Sequence, residues 1–200
     1  HGDSLLFNWP VEWTIRKMDT FSSEPLAGAT IRIKAMSNGE TIEEVTDGEG
    51  RIHLQHLPEG VYTFQEICQP DGYQLDPRLY QFEVYADGSV KGVNEIRNEP
   101  SAWRIWKQDR QTGKGLQGAK IALYDSCGVQ LLTAETNEEG YVDFSHLTPG
   151  RYYFCEMVAP PDYQLSDVTY QFEVLKDGRI QGDSIAFNDK IINPKTGDSH

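Results

Sequence analysis

A shift of 90 residues superimposes this sequence on itself: LAGA at 26–29 recurs as LQGA at 116–119, TDGEG at 46–50 as TNEEG at 136–140, and YQFEV at 80–84 as YQFEV at 170–174. A fixed period of this length marks tandem structural units, each a small fold of its own. A fainter echo, displaced by 180, links GDSLLFN at 2–8 to GDSIAFN at 182–188. The chain is therefore expected to hold two copies of one unit, over 11–99 and 100–192. Residues 1–10 read as the last strand of a preceding copy, ending near Asn8, and 193–200 as a tail.

Within each copy, short alternating runs such as WTIRK, TIRIKA, VYTFQEI and YQFEVY are separated by turn signals, among them SNGE, TDGEG, LPEG and ADGS. No stretch keeps a 3.6-residue apolar period. The expectation is all-β: two antiparallel sandwiches of about seven strands each, joined near Asn98-Glu99-Pro100. A unit of roughly 90 residues buries little more than about 60% of its chain surface, a thin margin of stability.

The usual reinforcement, disulfides, is not expected, because three cysteines in 200 residues are too few for a disulfide scaffold. With 18 basic against 31 acidic residues the net charge is −13, which repels phosphate backbones and argues against nucleic-acid binding. No apolar run approaches the roughly 20 residues of a membrane span. The start, HGDSLLFNWP, lacks the basic region and cleavage site of a signal peptide, so the chain is expected to be intracellular or to have lost its targeting segments.

Alternation then places charged groups among core residues. Trp13, Ile15 and Lys17 share a face, as do Trp103, Ile105 and Lys107. Tyr62, Phe64 and Glu66 share another, matched by Tyr152, Phe154 and Glu156, while Ile96 aligns with Asn98 and Ala186 with Asn188. An unpaired buried charge costs several kcal/mol, so these groups must pair, neutralise or react. Two readings follow. One is a buried Lys–Glu ion pair, or strand ends whose heads reach water. The other is chemical: desolvation lowers a lysine's pKa and raises a glutamate's, leaving a neutral amine beside a neutral acid. If Asn98 lies beside Lys17, a protonated Glu66 can polarise its amide carbonyl, the amine can attack, and ammonia leaves. The product is a Lys–Asn isopeptide bond.

The order KMD (17–19), PLAGA (25–29), TDGEG, LPEGVYTFQE (57–66), QPDGYQL (69–75), YQFEV and IRN (96–98) resembles the collagen-adhesin B-type repeat of Gram-positive surface proteins and pilins. The second copy, with KQD, LQGA, TPGRYYFCEMVAPPDYQL and AFN, resembles it equally, so the likeness covers nearly the whole chain. YTFQEICQPDGY and YYFCEMVAPPDY are similar to the pilin E-box, whose glutamate is the family's isopeptide catalyst. Cys68-Gln69 stands where a small residue is usual, and Pro161 replaces a glycine; neither touches the reacting groups. The resemblance implies immunoglobulin-like, prealbumin-like sandwiches, with Lys17 joined to Asn98 under catalysis by Glu66, and Lys107 joined to Asn188 under catalysis by Glu156. It further implies an extracellular, cell-wall-anchored stalk of an adhesin or minor pilin, with no turnover activity and no cofactor.

NPKTG at 193–197 resembles the sortase sorting signal, typically LPXTG, with Asn193 in place of leucine before Pro194, Lys195, Thr196 and Gly197. That implies sortase as a partner and transfer of Thr196 to peptidoglycan or another pilin subunit. The same five residues also read as a Pro/Gly-punctuated tail. Two alternatives accompany the stalk. A host-ligand-binding adhesin would grip a surface or matrix protein through an exposed aromatic patch, for which Trp9 and Trp106 are candidates. A polymerising backbone pilin should carry a YPK-like motif, which the sequence lacks.

Other signals carry less. His53 and His56 form HxxH, but strand residues three apart face opposite sides, and no further ligand has zinc-like spacing; no metal is expected. Asp47-Gly48-Glu49-Gly50 lacks the oxygen ladder of a calcium loop. Cys68 is expected in the core beside Glu66. Cys155 is expected outward and Cys127 in the turn DSCG, which leaves a 127–155 disulfide open.

Overall fold

The structure, a computed structural model, describes residues 11–192. Asn8 and Trp9, with the rest of 1–10, and Asn193–Gly197 lie outside the described residues. The chain divides into two compact units between Pro100 and Ser101. No helix occurs among the described residues.

Unit one contains β1 (Glu12–Asp19), β2 (Thr30–Ala35), β3 (Thr41–Val45), β4 (Arg51–Gln55), β5 (Gly60–Cys68), β6 (Leu79–Val84), β7 (Val90–Gly92) and β8 (Glu95–Asn98). Unit two repeats the series as β9 (Trp103–Asp109), β10 (Lys120–Asp125), β11 (Gln130–Glu135), β12 (Tyr141–Phe144), β13 (Gly150–Val158), β14 (Thr169–Val174), β15 (Ile180–Gly182) and β16 (Ile185–Asn188). Each unit pairs a three-stranded sheet, β4-β1-β8 or β12-β9-β16, with a five-stranded sheet, β3-β2-β5-β6-β7 or β11-β10-β13-β14-β15.

Eight strands per unit, not about seven, arise because β7 and β15 are three residues long, too short to show alternation. The pairing also departs from a purely antiparallel sandwich. The first and last strands of each unit lie side by side in parallel, with Lys17 opposite Ile96 and Lys107 opposite Ala186.

The inner faces of the two sheets interdigitate through residues that alternation selects. Ile15, Ile31, Ile33, Phe64, Phe82, Val84 and Ile96 fill unit one; Ile105, Ile121, Leu123, Phe154, Phe172, Val174 and Ala186 fill unit two. Tyr62 stacks on Phe82 at 5.0 Å and Tyr152 on Phe172 at 5.2 Å, adding roughly 0.5–1.5 kcal/mol each beyond area burial. Both hydroxyls donate to backbone carbonyls, of Pro58 and Thr148 at 2.8 Å, so neither buries an unpaired polar group.

The repeated motifs have a common purpose in the fold. The Thr46 hydroxyl accepts from Ala29 N–H at 3.0 Å and donates to Leu26 C=O at 2.8 Å, tying LAGA to TDGEG; Thr136 does the same for Ala119 and Leu116. Together these segments grip the backbone of the lysine. Lys17 N–H donates to Gly50 C=O at 2.7 Å and Lys17 C=O accepts from Leu26 N–H at 2.9 Å, with Lys107, Gly140 and Leu116 repeating the pattern. Gly50 has φ +66°, and a Cβ there would sit 2.6 Å from the Lys17 carbonyl oxygen, so only glycine allows this approach.

Cys68 is exposed and not in the core. The β2–β5 register moves from Ile31↔Glu66 to Thr30↔Cys68, leaving Ile67 as the extra residue of a bulge that reverses the alternation. The same bulge follows Glu156. All three cysteines are free, so no 127–155 disulfide forms; Cys127 is exposed and Cys155 half-buried.

Candidate functional site

Three elements converge at one end of each core. In unit one, β1 supplies Lys17, β5 supplies Glu66 and β8 supplies Asn98, and the three are 0%, 1% and 1% exposed. The parallel β1–β8 pairing sets Lys17 and Asn98 on adjacent strands of the small sheet, both pointing inward. Glu66 reaches them from the facing sheet.

The contacts are direct. Lys17 Nζ donates to Asn98 Oδ1 and lies 3.0 Å from Glu66 Oε1. Asn98 Nδ2 donates to both Glu66 oxygens, at 3.0 and 2.9 Å, and Asp76 N–H donates to Glu66 Oε2 at 2.7 Å. Thus the carboxyl bridges the amine and the amide nitrogen, while the amide oxygen faces the amine.

Unit two assembles Lys107, Glu156 and Asn188, at 0%, 7% and 1% exposure, with looser contacts. Lys107 Nζ is 3.3 Å from Glu156 Oε1 but donates to Phe187 C=O at 3.3 Å. Asn188 Nδ2 donates to Glu156 Oε2 at 2.7 Å and to Gln164 C=O at 2.5 Å, and Ser166 N–H donates to Glu156 Oε2 at 2.8 Å. Asn188 Oδ1 has no hydrogen-bond partner among the described residues.

Burial lowers the pKa of both lysines, against the opposing pull of Glu66 and Glu156. That is the direction a nucleophilic amine needs, since only the neutral form has a free electron pair. A fully buried ion pair is itself poor value for stability, because desolvation of both ions consumes most of the Coulombic gain.

All six residues singled out in the sequence thus meet in two clusters of three. Others were not foreseen. The backbone N–H of Asp76 holds the Glu66 carboxylate and that of Ser166 the Glu156 carboxylate, which side-chain alternation has no means of revealing. Asp19 and Asp109, the third residues of KMD and KQD, cap the turn after the lysine strand. Asp109 accepts from Thr112 N–H and Gln111 N–H at 2.8 Å and from the Tyr163 hydroxyl at 2.8 Å, and these bonds, led by Thr112, bring its carboxyl down to about 2. Their invariance between copies was the available signal.

No group of metal-ligating side chains occurs among the described residues. His53 is exposed, in hydrogen-bond contact with Thr14 at 3.1 Å, and His56 turns the chain with φ 56°. No helix among the described residues is long and apolar enough to cross a membrane.

The SpaA prealbumin-like fold domain matches residues 11–99 and again 102–186. Serine-aspartate repeat-containing protein D of Staphylococcus aureus is 25% identical over 162 residues, which is 70% of this chain and 12% of that protein. Colossin-A of Dictyostelium discoideum is 27% identical over 154 residues, 66% of this chain and 1% of that protein. The chain therefore spans a small part of the curated relatives it matches. The C-terminal fragment of the pilus adhesin SpaC from Lactobacillus rhamnosus GG, among solved structures, shares 21% identity across 93% of this chain and 100% of its own, with a TM-score of 0.49.

Proposed function

Since the chain belongs to the SpaA prealbumin-like domain family, in two tandem copies, we propose that it is a stalk segment of a bacterial surface adhesin or minor pilin, each unit closed by an intramolecular Lys–Asn isopeptide bond. The observation that carries this reading is the full burial of Lys17 and Lys107, each beside a glutamate that also holds the side-chain amide of an asparagine. A structural ion pair would not require the asparagine; an amide-forming reaction does.

The chemistry balances with the groups present. Lys17 passes a proton to Glu66 across 3.0 Å, and the neutral Nζ attacks Cγ of Asn98. Nζ–Cγ forms and Cγ–Nδ2 breaks. Nδ2, already beside both Glu66 oxygens, receives that proton from Glu66 and then the second one, which Nζ sheds through Glu66 on becoming an amide nitrogen, and departs, so that the net product is one amide, one ammonium ion and a restored carboxylate. The reaction happens once per unit, without turnover or cofactor. Lys107, Glu156 and Asn188 follow the same course.

Asn193–Gly197 extends the proposal to the cell wall, with sortase cleaving after Thr196 and joining it to peptidoglycan or another pilin subunit. Intact-protein mass tests the central claim. The expected mass is lower than the sequence mass by two molecules of ammonia; a mass equal to the sequence mass would sink it.

One observation favours a second reading, adhesion to a host surface or matrix protein through unit two. On the solvent face of the small sheet, unit one carries Arg16, Arg51, Glu95 and Arg97, whereas the equivalent positions of unit two are Trp106, Tyr141, Ile185 and Phe187. Trp106 and Tyr141 meet edge-on at 5.0 Å, and Arg104 lies 3.8 Å over the Tyr141 ring. Partly exposed Trp, Tyr and Arg in one patch is the composition of binding hot spots. In a screen of matrix proteins, Trp106→Ala with Tyr141→Ala is expected to weaken any ligand bound by unit two by roughly 30-fold or more. Ligands that bind wild type and variant equally would remove this reading.

A further inference from the structure

The two units carry the same three reacting residues but different surroundings, and the difference is concentrated beside the glutamate. In unit one the Asp76 carboxylate is 6% exposed and clamped on all sides. Oδ1 accepts from Arg78 N–H at 3.0 Å and Arg78 Nε at 2.8 Å; Oδ2 accepts from an Arg78 guanidinium nitrogen at 2.8 Å and from the Tyr80 hydroxyl at 2.6 Å. The Arg78 guanidinium in turn lies 5.5 Å over the Tyr80 ring. This fixed residue is the one whose N–H donates to Glu66 Oε2. The same segment, with Thr20, Gln74, Leu75, Pro77, Arg97 and Glu99, walls a cavity of about 360 Å³ that borders Asn98.

In unit two the counterparts of Asp76 and Arg78 are Ser166 and Val168, and the clamp is gone. Ser166 N–H still donates to Glu156, but its side chain anchors nothing comparable, and the Tyr170 hydroxyl instead accepts from Phe187 N–H at 3.3 Å. The site beyond is correspondingly less ordered for reaction. Glu156 Oε1 makes no hydrogen bond, Asn188 Oδ1 is orphaned, and the amine donates to a main-chain carbonyl instead of to the amide it must attack.

We propose that the Asp76–Arg78–Tyr80 cluster is a positioning clamp for Glu66, and that its absence from unit two makes the Lys17–Asn98 bond close faster than the Lys107–Asn188 bond. This rests on the isopeptide reading above. The physical cause is orientation: a near-attack geometry held in advance spares the reaction the ordering of its partners, and a misplacement of about 1 Å can cost on the order of 100-fold in rate. Asp76 touches none of the reacting atoms through its side chain. It acts by fixing the backbone donor that holds the carboxylate, so that Glu66 bridges the amine and the amide nitrogen at once.

The test follows newly synthesised protein from cell-free translation by mass, digesting samples at successive times to quantify linked and unlinked peptides from each unit. Unit one is expected to close roughly 10- to 100-fold faster. Asp76→Ser with Arg78→Val, which copies unit two into unit one, is expected to erase that lead. Ser166→Asp with Val168→Arg is expected to speed unit two by a similar factor, a gain that lost stability could not produce and that decides the matter if the first variant folds poorly. Equal rates in the two wild-type units, or a graft that leaves unit two unchanged, would overturn the clamp while leaving the bonds intact. Absence of ammonia loss from both units would instead overturn the isopeptide reading, and the clamp with it.

Discussion

Replacing Glu66 and Glu156 by glutamine is expected to lower the melting temperature on the order of 20–30 °C while leaving the sandwich fold in place. Glutamine keeps the volume and hydrogen-bonding reach of glutamate but cannot shuttle a proton, so both bonds fail to form. Each bond spans 81 residues (98 − 17 and 188 − 107). By the chain-entropy relation used for disulfides, closing such a loop is worth about 4.5 kcal/mol, comparable to the whole margin of a small domain. At roughly 4–8 °C per kcal/mol for a unit of this size, the shift is large enough to read by calorimetry. The variant also leaves an unreacted amine in the core, which supplies a second signature. Burial lowers the lysine pKa below the unfolded value of 10.5, so the folded state binds fewer protons than the unfolded chain in the window between the two. Stability of the variant should therefore rise with pH across that window, whereas the linked wild type, with no amine left to titrate there, should not. Coincident melting of variant and wild type, with coincident pH profiles, would argue against the bonds.

Under tension the same substitutions are expected to convert an inextensible segment into an extensible one. Force entering at the start of β1 and leaving at the end of β8 reaches Lys17 and Asn98 on neighbouring strands. With the bond in place it passes directly between them, and the intervening residues, 18–97, carry none of it. Without it, the parallel pairs Arg16↔Glu95, Lys17↔Ile96, Met18↔Arg97 and Asp19↔Asn98 are loaded in shear until they part. The chain between then extends by about 275 Å per unit, at about 3.4 Å per residue. Single-molecule pulling of the double glutamine variant should show two such increments, and wild type neither. Increments of that length in wild type would remove the mechanical case for the stalk.

Much of this was legible from residues alone, for definite physical reasons. A side-chain period of two assigns faces without knowledge of partners, so Lys17, Glu66 and Asn98, with their copies, could be placed inward before any strand was paired. The exact repeat made each of these placements twice. Alternation failed where the backbone departs from it: the bulge at Ile67 turns Cys68 outward, and nothing in YTFQEIC distinguishes a bulged strand from a regular one. Strands of three residues, β7 and β15, were likewise too short to register. The hold on Glu66 from Asp76 N–H was invisible because every residue but proline carries that donor, and only the path of the chain determines where it points.

Periodicity and the cost of burying charge are local properties, so the number of units, their all-β character and the side chains that must share a dry interior all follow from residue order alone. The parallel run of the first and last strands as neighbours comes instead from the folded chain. That pairing joins residues 81 apart, and no local pattern encodes it. It turns three buried polar residues into a reactive cluster, and it sets a bond between β1 and β8 on the line along which the chain is pulled.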